Sequence, residues 1–281
     1  MEAERQISDL HGNGMSTIVF LGGGRITSAM LAGLRLRKNK YRLVVHDRDP
    51  AKLRDVKKRY AAAVEPDLAR AVEQADMLIV AVRPSSVREL LGMVGKVITE
   101  LNRRVLAVSL AAGVPLRVLR QEAGPRVKLA RAMPSPVCRS GRGLTAVTFS
   151  WSWPRADRKR VRDFFSSFGR VVEVPESKFD AFTVAYSCSH GYHALATLAR
   201  AAEEAGLDRK TALLASAHAL ADGIIAWRDG KHSLESLLEE AATPGGIAAA
   251  TATGMDAAGY RRAVRQGVAA GLRRARANAG K

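Results

Sequence analysis

Three groups of residues in this 281-residue chain have types and spacings that can do chemistry. The first is Leu21-Gly22-Gly23-Gly24-Arg25-Ile26-Thr27, three glycines directly after an apolar run and directly before an amphipathic one. A dinucleotide site needs a tight turn, an open approach for the pyrophosphate and a helix N-terminus aimed at it, and Gly22 and Gly24 fall at the first two positions. Thr27 stands where Gly or Ala would let helix and strand close up, so the fingerprint is imperfect, and a bare flexible turn is the alternative. The second group, His46-Asp47-Arg48, lies about 20 residues further on, where a carboxylate binds ribose hydroxyls and an arginine receives a 2′-phosphate. Its alternative is a solvated helix start at Asp49-Pro50. The third group is Ser187, Cys188, Ser189, His190 and His193. Imidazole can hand over a proton near neutral pH, and serine hydroxyls can bind a carboxylate or simply cap a helix. Cys188, His190 and His193 have a metal-like spacing, but no fourth ligand stands nearby and no metal is expected.

The elements that must position these residues follow from periodicity. Continuous apolar runs at 17–21, 42–46, 77–82 and 105–110 read as buried parallel strands, and amphipathic stretches at 26–37, 50–60, 67–74 and 85–101 read as the helices between them. Further strands are expected at 127–131, 145–148 and 171–174, with a helix at 157–168. After residue 177 the pattern is helical, with candidates at 180–205, 208–228, 233–241 and 257–277. The fold class is therefore α/β, a Rossmann-type doubly wound parallel sheet followed by an all-α domain. The domain division is a mobile leader at 1–15, a dinucleotide-binding domain at 16–174 and a helical dimerisation and substrate domain at 175–281, with Met1 or Met15 as the true start.

Composition narrows the class. The net charge is +18, and residues 1–174 carry 32 basic and 16 acidic residues. Such a surplus suggests nucleic acid, and Trp151 and Trp153 before a basic helix could supply stacking. A hydrophobic content of 47% excludes a disordered basic tail. Two cysteines, no bilayer-length apolar run and a polar N-terminus argue for a reducing, cytoplasmic setting without membrane association.

An ordered series of motifs resembles the pyrroline-5-carboxylate reductase family. The family's opening strand and Gly-x-Gly-Asn-Met is similar to Gly22-Gly23-Gly24-Arg25-Ile26, and its Ala-Val-Lys-Pro to Ala81-Val82-Arg83-Pro84. Ser-x-Ala-Ala-Gly-Val resembles Ser109–Val114, Arg-x-Met-Pro resembles Arg131–Pro134, and Gly-x-Gly-x-Thr follows at Gly141, Gly143 and Thr145. In the helical part, Ser187-Cys188-Ser189, Pro244-Gly245-Gly246 and Gly259-Tyr260-Arg261 continue the series, which runs from about Ser16 to the C-terminus.

The resemblance implies reduction of a cyclic imine bearing a carboxylate, with hydride from NADP or NAD, by a homodimer that can assemble into a ring of dimers. NADP is slightly favoured, by the resemblance and by Arg48. The cofactor residues are expected to be Gly22, Gly24, Arg25, Ile26, Asp47 and Arg48, then Ala81, Val82, Arg83 and Pro84, and finally Ala111, Gly113, Met133 and Pro134. Ser187, Ser189, Thr243, Gly245 and Gly246 are expected at the substrate, and His190, Ser189 and Ser135 at the chemistry. Departures fall on the substrate side. Met-Pro-Asn-Thr-Pro reads Met133-Pro134-Ser135-Pro136-Val137, and the threonine two residues past Pro-Gly-Gly is replaced, with Ile247 and Ala248 in its place. His190, or His193 one turn on, is the candidate to take over that hydroxyl's role. Two alternatives stay open: a cofactor-binding relative that reduces a different imine or lacks robust catalysis, and a nucleic-acid-binding protein that uses its basic first domain.

Overall fold

The computed structural model describes residues 15–36, 40–150 and 153–279. Strands β1 (Thr17–Leu21), β2 (Arg42–His46), β3 (Ala63–Val64), β4 (Met77–Val80), β5 (Val105–Ser109), β6 (Val127–Met133), β7 (Gly143–Phe149) and β8 (Gly169–Glu173) form one sheet in the order β3-β2-β1-β4-β5-β6-β7-β8. All pairings are parallel except β6 with β7. The chain order reverses between β1 and β4, which is the switch point where ligands bind in doubly wound sheets. Register is set by complete burial: Ile18 pairs with Met77 and Phe20 with Ile79, all at most 2% exposed.

Helices cover both faces. α1 (Arg25–Arg35), α2 (Pro50–Tyr60) and α6 (Arg155–Ser166) contribute to a core with Ile18, Phe20, Val45, Ile79 and Val108. α3 (Leu68–Glu73), α4 (Val87–Glu100) and α5 (Leu116–Ala123) pack on the opposite face against Val19, Leu78, Val80 and Ala107. Strand alternation sends neighbouring residues into these two layers, which is why the central strands β1, β4 and β5 are buried at every position.

The chain divides into two compact units, one running to Tyr186 and resuming at Leu272, the other Ser187–Gly271. Compactness thus draws the line later than the composition change at residue 175. The cause is α7 (Glu176–Ala185), which the sheet unit holds through a buried arginine. The expected helix 180–205 is broken: α7 ends at Ala185 and α8 spans Ser189–Glu204. Tyr186 closes the first helix, its phenol oxygen accepting the Leu144 N–H at 2.6 Å, and Ser187 Oγ accepts the Ser189 N–H at 3.4 Å. Side-chain partners for the backbone compete with helix continuation at such points.

The helical unit contains α8, α9 (Arg209–Asp229), α10 (Leu234–Ala241), α11 (Ile247–Ala257) and the first part of α12 (Tyr260–Ala279). The expected helix 257–277 thus begins later, and α11 is an additional helix. Gly259, at φ +88°, separates the two in a conformation that only glycine adopts cheaply. Within this unit the fully buried side chains are few, among them Ala199, Ala212 and Ser216, while Leu214, Ile224 and Leu238 are exposed.

The aromatic element of the nucleic-acid alternative is not available in the described residues. Trp153 is 6% exposed and rests on Phe149 with ring centroids 5.2 Å apart. Trp151 lies outside the described residues, as do leader residues 1–14. Basic residues near α6 are partly matched: Arg158 pairs with Glu173, Lys159 with Asp163 and Lys128 with Asp157. Among the described residues, no helix is long and apolar enough to cross a membrane.

Candidate active site

The residues expected to bind cofactor lie on one edge of the sheet. β1, β2, β4, β5 and β6 are mutually parallel, so Gly22–Gly24, Asp47–Arg48, Ala81–Pro84, Ala111–Gly113 and Met133–Pro134 all follow strand C-termini at that edge. At its centre Gly22 has φ +113°, and a Cβ there would lie 2.7 Å from the Ala81 carbonyl oxygen. Glycine is therefore required twice, by conformation and by space. The Gly22 N–H donates to the His46 carbonyl at 2.7 Å, and the Ala81 N–H to that of Leu21 at 2.8 Å, so the turn is tied to both neighbouring strands.

Gly24 is different. A Cβ at Gly24 would meet nothing within 4 Å, and no side chain caps α1, whose first turn carries no acidic residue. Free amides at the positive end of a helix dipole, with open space before them, fit a diphosphate. The residues present therefore fit a dinucleotide. Arg25, Arg48 and Arg83 are exposed at this edge. Arg48 has no hydrogen bond or ion pair among the described residues.

Two residues make contacts that the sequence did not announce. Thr27, read as a flaw in the glycine fingerprint, is fully buried and donates its hydroxyl to the Gly22 carbonyl at 2.5 Å. It locks the turn that a third glycine would only allow to pack. Asp47, read as the ribose acceptor, has its carboxylate already engaged. Oδ2 accepts the Gly23 N–H at 2.8 Å, Oδ1 accepts the Asp49 N–H at 2.9 Å, and Lys52 Nζ lies 3.3 Å from Oδ2. Burial pushes this carboxyl up, but the two backbone donors and the Lys52 charge outweigh it and hold Asp47 below the ordinary carboxylate range. Asp47 is thus the brace between the glycine turn and the tip of β2, and Arg48 is the side chain beside it that is free for a ligand.

Further along the edge, Ser109 and Ala111 are buried, and the Ala111 N–H donates to Ser109 Oγ at 3.3 Å. Gly113, at φ +78°, faces the backbone of Ala275. Its glycine requirement thus comes from packing against the last helix. Ser135 is 5% exposed, and its hydroxyl accepts the Val137 N–H at 3.4 Å, capping the short turn Pro136–Ser140.

The residues expected at the substrate belong to two turns of the helical unit. Ser187 and Ser189 share a hydrogen bond at 2.7 Å, and the His190 N–H donates to the Ser187 carbonyl at 3.1 Å, which gathers these three at the start of α8. His193 Nδ1 lies 3.3 Å from the Thr197 hydroxyl, one turn on along the same helix. In the second turn the Gly246 N–H donates to the Thr243 carbonyl at 2.9 Å, and Gly245 takes φ +78°. Ile247 follows, 89% exposed, at the first position of α11.

Sequence reasoning placed Arg131 in a motif without giving it a role of its own; it is 2% exposed in β6. It donates to Glu176 at 2.9 Å and Asp180 at 3.0 Å, with its guanidinium 4.5 Å from the Phe179 ring centroid. Glu176 Oε1 also accepts the Leu116 N–H at 2.9 Å, the first turn of α5. The i, i+4 spacing of Glu176 and Asp180, after a lone arginine in an apolar strand, was the available signal.

Comparison with known proteins agrees with both halves. Residues 17–113 match a family described as NADP oxidoreductase, coenzyme F420-dependent, and residues 176–278 match one described as pyrroline-5-carboxylate reductase dimerisation. The pyrroline-5-carboxylate reductase of Mycobacterium leprae is 31% identical over 213 residues, covering 74% of this chain and 72% of its own. That of Synechocystis is 28% identical over 259 residues, 90% of this chain and 95% of its own. A crystal structure of Plasmodium falciparum pyrroline carboxylate reductase with NADP bound superposes with a TM-score of 0.83 at 20% identity, over 95% of this chain and all of that one, a likeness of fold. With its glycine-turn sheet, its matching helical half and this level of identity, the chain belongs to the pyrroline-5-carboxylate reductase family.

Proposed function

We propose that this protein is an NADPH-dependent reductase of a cyclic imine carrying a carboxylate, with pyrroline-5-carboxylate as substrate and proline as product, acting as a homodimer. The observation that carries the reading is the sheet edge, where Gly22, Gly24 and the uncapped start of α1 present open space and free amides. When bound, the nicotinamide supplies hydride to the imine carbon. Gly22 to Gly24 and the amides of α1 would hold the pyrophosphate, and Met133 and Pro134 would border the ring. Ser187 and Ser189 would bind the substrate carboxylate. His190 would protonate the imine nitrogen, in place of a hydroxyl that residues 247 and 248 do not provide.

The preference for NADPH over NADH rests on Arg48, exposed and unpaired, beside an Asp47 whose oxygens are already engaged. The homodimer reading rests on the exposed apolar side chains of α9 and α10. A ring of dimers is its extension, read by light scattering. The free thiols Cys138 and Cys188 agree with a reducing, cytoplasmic setting. The loss of the threonine hydroxyl favours one second reading, that a related imine is the better substrate.

Oxidation of NADPH and NADH, followed with pyrroline-5-carboxylate beside other cyclic imine carboxylates, decides among these. Proline formation is expected, and Arg48→Ala should raise KM for NADPH by about tenfold while leaving NADH nearly unchanged. Turnover confined to another imine would move the assignment to that substrate. Cofactor binding without turnover on any imine would defeat the catalytic reading.

A further inference from the structure

The last helix, α12, enters the sheet unit at Leu272, and its final two turns touch the loop that follows β5. Three contacts make the junction. The Ala275 backbone lies against Gly113, so close that a Cβ on Gly113 would collide with the Ala275 carbonyl oxygen. Asn278 donates its side-chain N–H to the Ala112 carbonyl at 3.1 Å. Arg88, in the first turn of α4, donates to the Ala279 carbonyl at 2.7 Å and lies 3.9 Å from Glu122. A cation there satisfies one of the carbonyls a helix leaves open at its C-terminus and meets the negative end of its dipole.

The loop itself, Leu110-Ala111-Ala112-Gly113-Val114, buries Ala111 and Val114 in the core but has few means of its own to hold its middle. It contains no polar side chain, and Gly113 sits at φ +78°. The bonds from the Leu110 N–H to the Val80 carbonyl and from the Ala111 N–H to Ser109 Oγ anchor its start, buried Val114 anchors its end, and the end of α12 anchors its middle. We propose that the C-terminal end of this chain is a clasp that holds the 110–114 loop in its cofactor-binding shape, with Asn278 and Arg88 as positioning residues. The proposal rests on the reading above that this loop borders the cofactor. A loop ordered before binding avoids an ordering cost that would otherwise weaken affinity, so the clasp acts on cofactor binding and leaves the chemical step alone.

The test uses the full chain with Asn278→Ala and three readouts. Amide hydrogen exchange at 110–114 in the cofactor-free protein should accelerate, the NADPH Kd from calorimetry should rise about fivefold, as loss of one hydrogen bond allows, and kcat at saturating NADPH should stay unchanged. Asn278→Gln, which keeps the donor, should recover part of the affinity. If Asn278→Ala does not fold, Arg88→Lys, which keeps the charge and loses the planar fork, supports the same comparison. Unchanged exchange at 110–114 overturns the clasp. Faster exchange with unchanged Kd overturns its link to the cofactor. A wild-type protein that binds neither NADPH nor NADH refutes the functional reading instead, and the exchange data then still report on the clasp.

Discussion

Asp47 shows how one carboxylate can carry a structural task that its place in a motif does not announce. Its position at the tip of β2 fits a ribose ligand, but its oxygens accept the Gly23 and Asp49 N–H groups and face Lys52. A carboxyl held below its unfolded value gives the folded chain fewer protons than the unfolded chain at mildly acid pH. The resulting stabilisation is complete above the unfolded value of about 4 and is lost as pH falls through the lower folded value. Asp47→Asn puts an amide N–H where an acceptor is needed. It should cost roughly 1–2 kcal/mol at neutral pH, as measured by urea unfolding. The difference between the variant and the wild type should narrow as pH falls below about 4, and a difference that stays equal down the acid range would contradict this account. Thr27 teaches the same lesson at lower stakes: a residue that breaks a motif closes the turn by another route, through its hydroxyl.

Among the elements, α7 stands out because composition assigns it to the helical half and packing assigns it to the sheet. Arg131 reaches from β6 to Glu176 and Asp180, and Phe179 beneath the guanidinium is fully buried. Removing this cation would leave two carboxylates one helical turn apart without their counter-charge. Both are about one-third exposed, so Arg131→Ala should cost about 2–3 kcal/mol, below the ~3–5 expected for a fully buried pair. Chemical denaturation reads this directly. Arg131→Met, which fills the space without the charge, should be as destabilised as Arg131→Ala if the counter-charge dominates and markedly less so if packing does. The central strands β1, β4 and β5 were legible to within two residues, since burial on both faces makes them apolar runs. Strand β3, of two residues, and helix α11, with two threonines and a glycine, gave no such pattern.

For the whole molecule, the two halves differ in how they are stabilised. The sheet unit has a core on each face, whereas the helical unit exposes Leu213, Leu214, Ile224, Ile225 and Leu238. A second chain that covers these side chains binds only the folded form, so stability should depend on concentration. Raising protein concentration about a hundredfold should lift Tm by several degrees and shift sedimentation from monomer to dimer. A Tm independent of concentration, with a monomeric species throughout, would contradict the dimer. The net charge of +18 has a more modest meaning at this scale than nucleic-acid binding. Several basic side chains near α6 have carboxylate partners, and Arg25, Arg48 and Arg83 stand where an anionic dinucleotide approaches.

The sequence by itself determined the sheet class, the glycine turn and the order of motifs that marks the family, because strand burial, glycine conformation and local spacing are written in short stretches of chain. Only the tertiary structure decided which side chains are free. Asp47 is a brace because Gly23, 24 residues away, points its N–H at that carboxylate, and Arg48 beside it meets no partner among the described residues. The roles of Gly113, Arg131 and Asn278 depend on partners 45 to 166 residues distant along the chain. Such contacts leave no periodicity for a local pattern to reveal.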